Sequence, residues 1–295
     1  VMKGHPKSFP FQLWTKTFRL VVILLLAVAV SIAIFIALKP AEQQEGIVLA
    51  TPPSTPSDTK RFTTLPLGAT LPSETECASR VRRSSWEPRP DNYAANHRVP
   101  TSQQIAGLQA FGPPLYDPKA DTLRKQITGN FTGTTDEILQ WVACKWGIDE
   151  DIIRAEAVKE SHWHQSQLGD STNDQSLCPL GTGYSGAWNG TGCYQSYSIL
   201  GIKYIYNKSA WPMSRDDTAF STEYTYGIIR TCYEGWATYL YERPPLPGYP
   251  SYHAGDIWGC IGRWYSGNWY DQGALDYIQD VKTILINKEW LQPGF

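Results

Sequence analysis

Asp149 to Trp163 reads DEDIIRAEAVKESHW, and this stretch decides how the rest of the chain is read. Asp149 is placed to cap a helix whose first turn is acidic, and Ile152, Ile153, Ala157 and Glu160 follow at helical spacing. Glu160 therefore falls on the apolar side of its own helix. A carboxylate there is either half of a buried ion pair or a group that holds its proton tightly because its charged form is poorly solvated. The second kind makes a general acid.

Upstream, Thr134 or Thr135 caps a helix through DEILQWVACKWG that Gly147 ends. Downstream, Gly169 to Gly192 is rich in turn residues and predicts a long loop, most of it flanked by Cys178 and Cys193. CYQSYSILGIKYIYN follows. Ala219 to Leu240 then predicts a helix carrying Thr222, Tyr226, Ile229, Cys232 and Trp236 near one stripe. After the proline-broken ERPPLPGYPSYHAGD comes IWGCIGRWYSGNWYDQGALDYIQDVKTIL, two helical stretches around an aromatic Ser-Gly turn.

AEAVKESHW, a Glu-Ser pair ending a helix, resembles the catalytic motif of the lysozyme-like lytic transglycosylases that cleave bacterial peptidoglycan. The resemblance extends to Ser196-Tyr197-Ser198-Ile199-Leu200-Gly201-Ile202, set against the family's Ser-x-Gly-Leu-Met-Gln-Ile. Here Ser198 stands for the Gly and Gly201 for the Gln. It reaches the closing segment too, where Trp264 or Tyr265 takes the place of the family's active-site Tyr and Tyr277 and Val281 form a later pair. These three segments occur in family order over roughly residues 135–290. The resemblance implies a mostly α, α+β lysozyme-like domain over residues 135–295. It makes Glu160 the catalytic acid, with Ser161, Tyr197, Ser198, Trp264 and Tyr265 around the substrate. It further implies cleavage between N-acetylmuramic acid and N-acetylglucosamine by one Glu, with a 1,6-anhydromuramoyl product. The expected partners are peptidoglycan glycan strands and an envelope protein assembly. A different class of reading is a lysozyme-like module that has lost catalysis and binds glycan or a partner.

Most glycosidases use two carboxylates, so Glu156, Asp170, Asp174, Glu223 and Asp256 are weighed as a second. Glu156 lies one turn from Glu160 on a similar face, too close along one helix to flank a sugar from the opposite side. The others read as caps or turn residues. His162 and His164 sit two apart, point in different directions on a helix and leave no third ligand placed by spacing, so no metal and no cofactor is expected.

The chain has 295 residues and a formal charge of −2 with both signs mixed, so nothing points to nucleic acid. Its 12 Trp and 17 Tyr suit both cores and sugar faces. Leu20 to Leu38 is apolar for 19 residues, long enough to cross a bilayer as a helix. Lys3, Lys7, Lys16 and Arg19 precede it and Glu42 and Glu45 follow, which predicts a cytoplasmic N-terminus at 1–19, a membrane anchor at 20–38 and the rest outside, periplasmic or extracellular. A cleaved signal is the alternative. Residues 39–73, with TPPSTPSDTK, predict a flexible linker. Residues 74–134, rich in Pro and Asn but carrying Trp86, Tyr93, Phe111 and Tyr116, predict an ordered arm lying on the domain. Six cysteines in an exported chain predict disulfides; of fifteen pairings the expected set is Cys178 with Cys193, Cys232 with Cys260 and Cys77 with Cys144.

Overall fold

The computed structural model describes residues 60–109 and 116–295. Helices make up most of the regular structure, and the strands form one three-stranded antiparallel sheet among the described residues. In chain order the elements used below are α1 (Glu74–Arg80), α2 (Tyr93–Asn96), α3 (Ser102–Ala106), α4 (Ala120–Arg124), α5 (Thr135–Trp146) and α6 (Glu150–Ser161). Strands β1 (Leu168–Thr172), β2 (Cys193–Tyr197) and β3 (Ile202–Lys203) follow. The chain closes with α7 (Met213–Asp216), α8 (Thr218–Tyr233), α9 (Ile257–Ser266) and α10 (Gln272–Asn287).

Every residue of α5 and of α8 is buried, so these two helices form the centre of the core. Thr134 caps α5 in a capping box with Glu137, and Gly147 ends it in the left-handed conformation, with the Ile148 amide reaching back to the Ala143 carbonyl at 3.1 Å. Inside, Lys145 of α5 pairs with Glu223 of α8, which also accepts the Gly129 amide at 2.6 Å. Glu223 is thus a buried ion-pair carboxylate rather than the cap or turn residue its position suggested. Helix α8 is shorter than the sequence predicts. It stops at Tyr233 because the Trp236 amide turns back to the Thr231 carbonyl, and Thr238–Glu242 continues as a separate 3-10 turn.

Helix α6 starts at the Asp149 cap, whose side chain accepts the Asp151 amide. Its buried Arg154 binds Asp136 of α5 at 2.8 Å, Glu150 at 3.0 Å and Asp151 at 2.9 Å. The apolar stripe of α6 thus docks on α5 with a charged knot at one end and Glu160 at the other.

Gly169 to Gly192 is not all loop. Leu168–Thr172 is a strand paired with Cys193–Tyr197 in the register Leu168↔Tyr197 and Thr172↔Cys193, and β3 extends the sheet through Tyr197↔Ile202. The remaining turn residues sit between the strands, where the Cys178–Cys193 disulfide closes most of them.

All three expected disulfides are present: Cys77–Cys144, Cys178–Cys193 and Cys232–Cys260. Cys77–Cys144 closes 67 residues between α1 and α5. For a loop of that length the chain-entropy relation gives about 4 kcal/mol of stabilisation. Replacing both cysteines with Ser is expected to lower the free energy of unfolding by about that amount, read from urea or guanidinium denaturation, with Cys178 and Cys193 substitutions giving a smaller loss from their shorter loop.

Two segments need correction. The flexible linker does not run to Ser73: Phe62 is buried, the Leu65 amide donates to the Gly147 carbonyl at 2.9 Å, and Lys60 pairs with Asp149. Phe62 and Leu71 give this end an apolar surface that outweighs its prolines. Tyr93, offered as an aromatic holding the arm, is 67% exposed. Tyr116 packs against the core, to which the arm also gives buried Val81, Leu123, Ile127 and Phe131, and polar side chains add to their hold on the arm. Asn92 donates to Thr135 Oγ1 and to the Trp163 carbonyl, and Glu87 accepts the Thr135 amide at 2.7 Å. Trp86 does pack inward, edge-on to Trp163 at 5.7 Å. Phe111, the apolar stretch Leu20–Leu38 and the segment before it lie outside the described residues. Among the described residues no helix is long and apolar enough to cross a membrane.

Candidate active site around Glu160

Glu160 sits at the last turn of α6, just before the chain reverses. His162 and Trp163 both take the left-handed conformation, at φ 49° and 68°, where non-glycine residues carry strain. The reversal is fixed from several sides. The Trp163 ring is buried with its Nε1 donating to the Arg154 carbonyl at 3.0 Å, and Arg89 of the arm donates to the His162 carbonyl. The Gln165 amide donates to Asn92 Oδ1 at 2.8 Å.

Gln165 then joins this reversal to the other side of the site. Its Oε1 accepts the Ile199 amide at 3.2 Å and the Ser221 hydroxyl at 3.0 Å, while its Nε2 donates to the Ser214 and Arg215 carbonyls. The buried Ser161 hydroxyl donates to the Ile199 carbonyl at 2.9 Å. Trp264 Nε1 donates to the Leu200 carbonyl at 3.1 Å. Together these bonds clamp the turn Ser198–Gly201, whose ends meet through the Gly201 amide and the Ser198 carbonyl at 3.2 Å.

That turn lies against the acid. Ser198 has φ 83°, the left-handed backbone that a glycine adopts without strain. Its hydroxyl is buried without a hydrogen-bond partner among the described residues. Gly201, at φ 63°, is required on two counts. The conformation favours glycine, and a Cβ there would stand 2.7 Å from Glu160 Oε2.

Helices α9 and α10 bring the third side. Tyr277 is buried, and its hydroxyl donates to Glu160 Oε1 at 2.5 Å. The Tyr265 ring, 61% exposed, stacks on the Tyr277 ring at 4.8 Å between centroids and 8° between planes. Behind Glu160, fully buried Glu156 accepts hydrogen bonds from the Tyr226 hydroxyl and from the Tyr277 hydroxyl at 3.3 Å.

The electrostatics follow from this packing. Burial pushes the Glu160 carboxyl up to about 7, against the opposing pull of the Tyr277 hydrogen bond and Lys159; Asp170 adds a smaller upward push. Glu156 is raised to about 8, chiefly by burial and also by the charge on Glu160. Tyr277 and Tyr226 are held well above the ordinary phenol value by burial and by the carboxylates beside them. Glu160 keeps partial solvent exposure and has no ion pair among the described residues, since Lys159 is engaged by Asp280 at 2.5 Å. A carboxyl with these properties can give a proton to an atom arriving from solvent and take one back.

The remaining sequence candidates are spread out. Tyr197 is buried in the sheet, its hydroxyl donating to the Tyr194 carbonyl at 2.8 Å and the Gly186 carbonyl at 3.2 Å, so it shapes the hairpin and presents no free hydroxyl to a ligand. Ser161 and Trp264 brace the turn. Asp174 and Asp256 cap a 3-10 turn and α9. Asp170 is exposed, with φ 54°, between Ser196 Oγ and Lys203 Nζ. His162 is exposed and His164 contacts Asp91 at 3.0 Å.

A concavity of about 790 Å³ lies farther along the hairpin, lined by residues such as Asn173, Tyr184, Asn189 and Tyr194. No carboxylate or histidine lines it, unlike the Glu160 side. Gln165 was not visible as a site residue in the sequence, because a lone Gln after a helix carries no pattern. Tyr277 was visible only through its spacing in the closing segment. No family model, no curated protein and no solved structure matches this chain.

Proposed function

We propose that this protein cleaves peptidoglycan as a lysozyme-like lytic transglycosylase, with Glu160 as its acid and base. One observation carries the reading. Glu160 ends a buried helix beside a glycine turn, partly open to solvent, without an ion pair among the described residues and with its proton held to about 7. That is the environment of a general acid and not of half a buried salt bridge.

In the proposed reaction Glu160 protonates the oxygen linking N-acetylmuramic acid to N-acetylglucosamine, and the C1–O bond breaks. The 6-hydroxyl oxygen of the same muramic residue then closes on C1, and its proton returns to Glu160. The product carries a 1,6-anhydro end, and no water is consumed. The exposed Tyr265 ring, supported by Tyr277, offers a flat apolar face of the kind that stacks on sugars. The anchor read from residues 20–38 would hold the activity at the outer face of a membrane, where local wall opening serves a larger envelope assembly.

The test is the chemistry of the product. The full chain is incubated with purified peptidoglycan, and the soluble muropeptides are examined by mass spectrometry. Anhydro ends support the transglycosylase. Reducing ends would make the protein a hydrolase, with exposed Asp170, whose charge acts on Glu160, the choice for a second carboxylate. A folded protein that sediments with peptidoglycan but releases nothing would leave the glycan-binding module, a reading that Gly201 in the place of the family's Gln favours.

A further inference from the structure

Glu156 is a carboxyl with no exposure, no cationic partner among the described residues and two phenols bound to it. A Leu here would leave both buried phenols without their acceptor, whereas a Gln could bond to both without the cost of burying an ionisable group. Counting protons shows what it does. The Tyr277 hydroxyl has one proton and stands between two carboxyls, 2.5 Å from Glu160 Oε1 and 3.3 Å from Glu156 Oε1. Tyr226 donates to the other oxygen of Glu156. With both carboxyls ionised the single Tyr277 proton could serve only one of them, leaving Glu156 with Tyr226 alone, and like charges would stand one helical turn apart in a buried cluster. A single additional proton satisfies the cluster in either of two arrangements. With the proton on Glu156, that acid donates to Tyr277 Oη and the Tyr277 proton is donated to ionised Glu160. With the proton on Glu160, that acid donates to Tyr277 Oη and the Tyr277 proton turns to Glu156.

We propose that Glu156 is a positioning residue for the acid, holding one proton in common with Glu160 through the Tyr277 hydroxyl. Conversion between the two arrangements moves one proton from Glu156 to Tyr277 Oη while the Tyr277 proton passes to Glu160, so charge and protons balance without another reactant. When Glu160 has given its proton to a leaving oxygen, Tyr277 stabilises the carboxylate and Glu156 supplies the donor that frees Tyr277 to do so. The proposal deepens the assignment of Glu160 as the acid and rests on it.

The groups that bear on this pair come from every neighbouring element. They are Tyr226 of α8, Tyr277 of α10 with Tyr265 of α9 stacked on it, Asp170 of β1 and Lys159 of α6 itself. Lys159 is paired with Asp280 and Asp170 with Lys203, so both charges are largely satisfied elsewhere. The two carboxyls and the two phenols remain the groups in direct hydrogen-bond contact.

The sign of the effect separates this role from a structural one. A general acid works below its pKa, so release of muropeptides is lost as pH rises through the upper titration of the pair. Glu156→Gln leaves a neutral donor of the same shape and removes the like charge, so that high-pH limb is expected to move down by about one pH unit. Tyr277→Phe removes the donor to ionised Glu160 and is expected to move the same limb up. Peptidoglycan sedimentation should be unchanged in both.

A second readout needs no turnover. Carboxyl infrared bands of the full chain, followed against pH, should show a buried acid lost in two shared steps, reduced to one step at lower pH in Glu156→Gln. If the full chain releases muropeptides and neither variant moves the limb, the shared proton is disproved while the transglycosylase reading stands. If the chain releases nothing but the infrared steps behave as described, the reverse holds. Should Glu156→Gln fail to fold, a single infrared step in the unaltered chain would be enough to overturn the proposal, and two steps each shared by both carboxyl bands that resolve into one separate step per band in Tyr277→Phe would support it.

Discussion

Glu160→Gln is expected to abolish muropeptide release, by about 10³-fold or more, while leaving the protein folded and still sedimenting with peptidoglycan. The amide keeps the size of the carboxyl and can still accept from Tyr277, but it has no proton of suitable acidity to give. The variant also separates chemistry from stability. A carboxyl held at about 7 in the folded chain binds its proton more tightly than in the unfolded chain. Its contribution to stability therefore falls as pH rises from the ordinary glutamate range to about 7, and stays low above that. The neutral Gln has no such dependence, so at pH 8 the variant should melt at the same temperature as the unaltered protein or above it. Activity of the unaltered chain should itself decline as pH rises through the region around 7. A variant that keeps releasing muropeptides would remove Glu160 from the reaction altogether.

Arg154→Met carries the largest expected effect on stability. Among the described residues, Arg154 is the sole cation bonded to the buried cluster of Asp136, Glu150 and the less deeply buried Asp151. Removing it leaves those carboxylates facing one another in a desolvated interior, and breaking a buried pair in this way costs about 3–5 kcal/mol. The loss should appear as a reduced denaturation midpoint with an unchanged slope, and as a fall in melting temperature of roughly 10 °C for a domain of this size. Because the Trp163 indole bonds the Arg154 carbonyl and not its side chain, the Glu160 reversal should survive in whatever fraction remains folded. Specific activity per folded molecule is the check: a drop there would mean that the charged knot also sets the site.

Local order was legible because local chemistry writes it. The caps at Thr134 and Asp149, the stop at Gly147 and the apolar stripe of α6 each need only neighbours within a turn or two, and the sequence alone determined them. It also set the cysteine pairing as an expectation that the structure bears out. The placement of Glu160 on an apolar face was equally a local matter. What the sequence misread depended on partners far along the chain. Strand β1 looked like loop because its Gly, Asp and Ser residues are poor strand formers, and only pairing with β2 makes it a strand. Tyr197 looked like a ligand contact and is spent on hairpin carbonyls.

Glu156 looked like a poor second carboxylate, since a shared helix face cannot put two acids on opposite sides of a sugar. Tertiary structure gave it a different place, behind Glu160 and joined to it by a tyrosine that is 121 residues away from Glu156. The physical reason is range. Capping and helical periodicity act over a few residues, whereas the desolvation of Glu160, the absence of an ion pair to it among the described residues and the hydroxyl that bridges the two acids are set by helices α8 and α10 and by the Ser198–Gly201 turn. The chain dictates these elements one by one, and only their packing raises the Glu160 carboxyl.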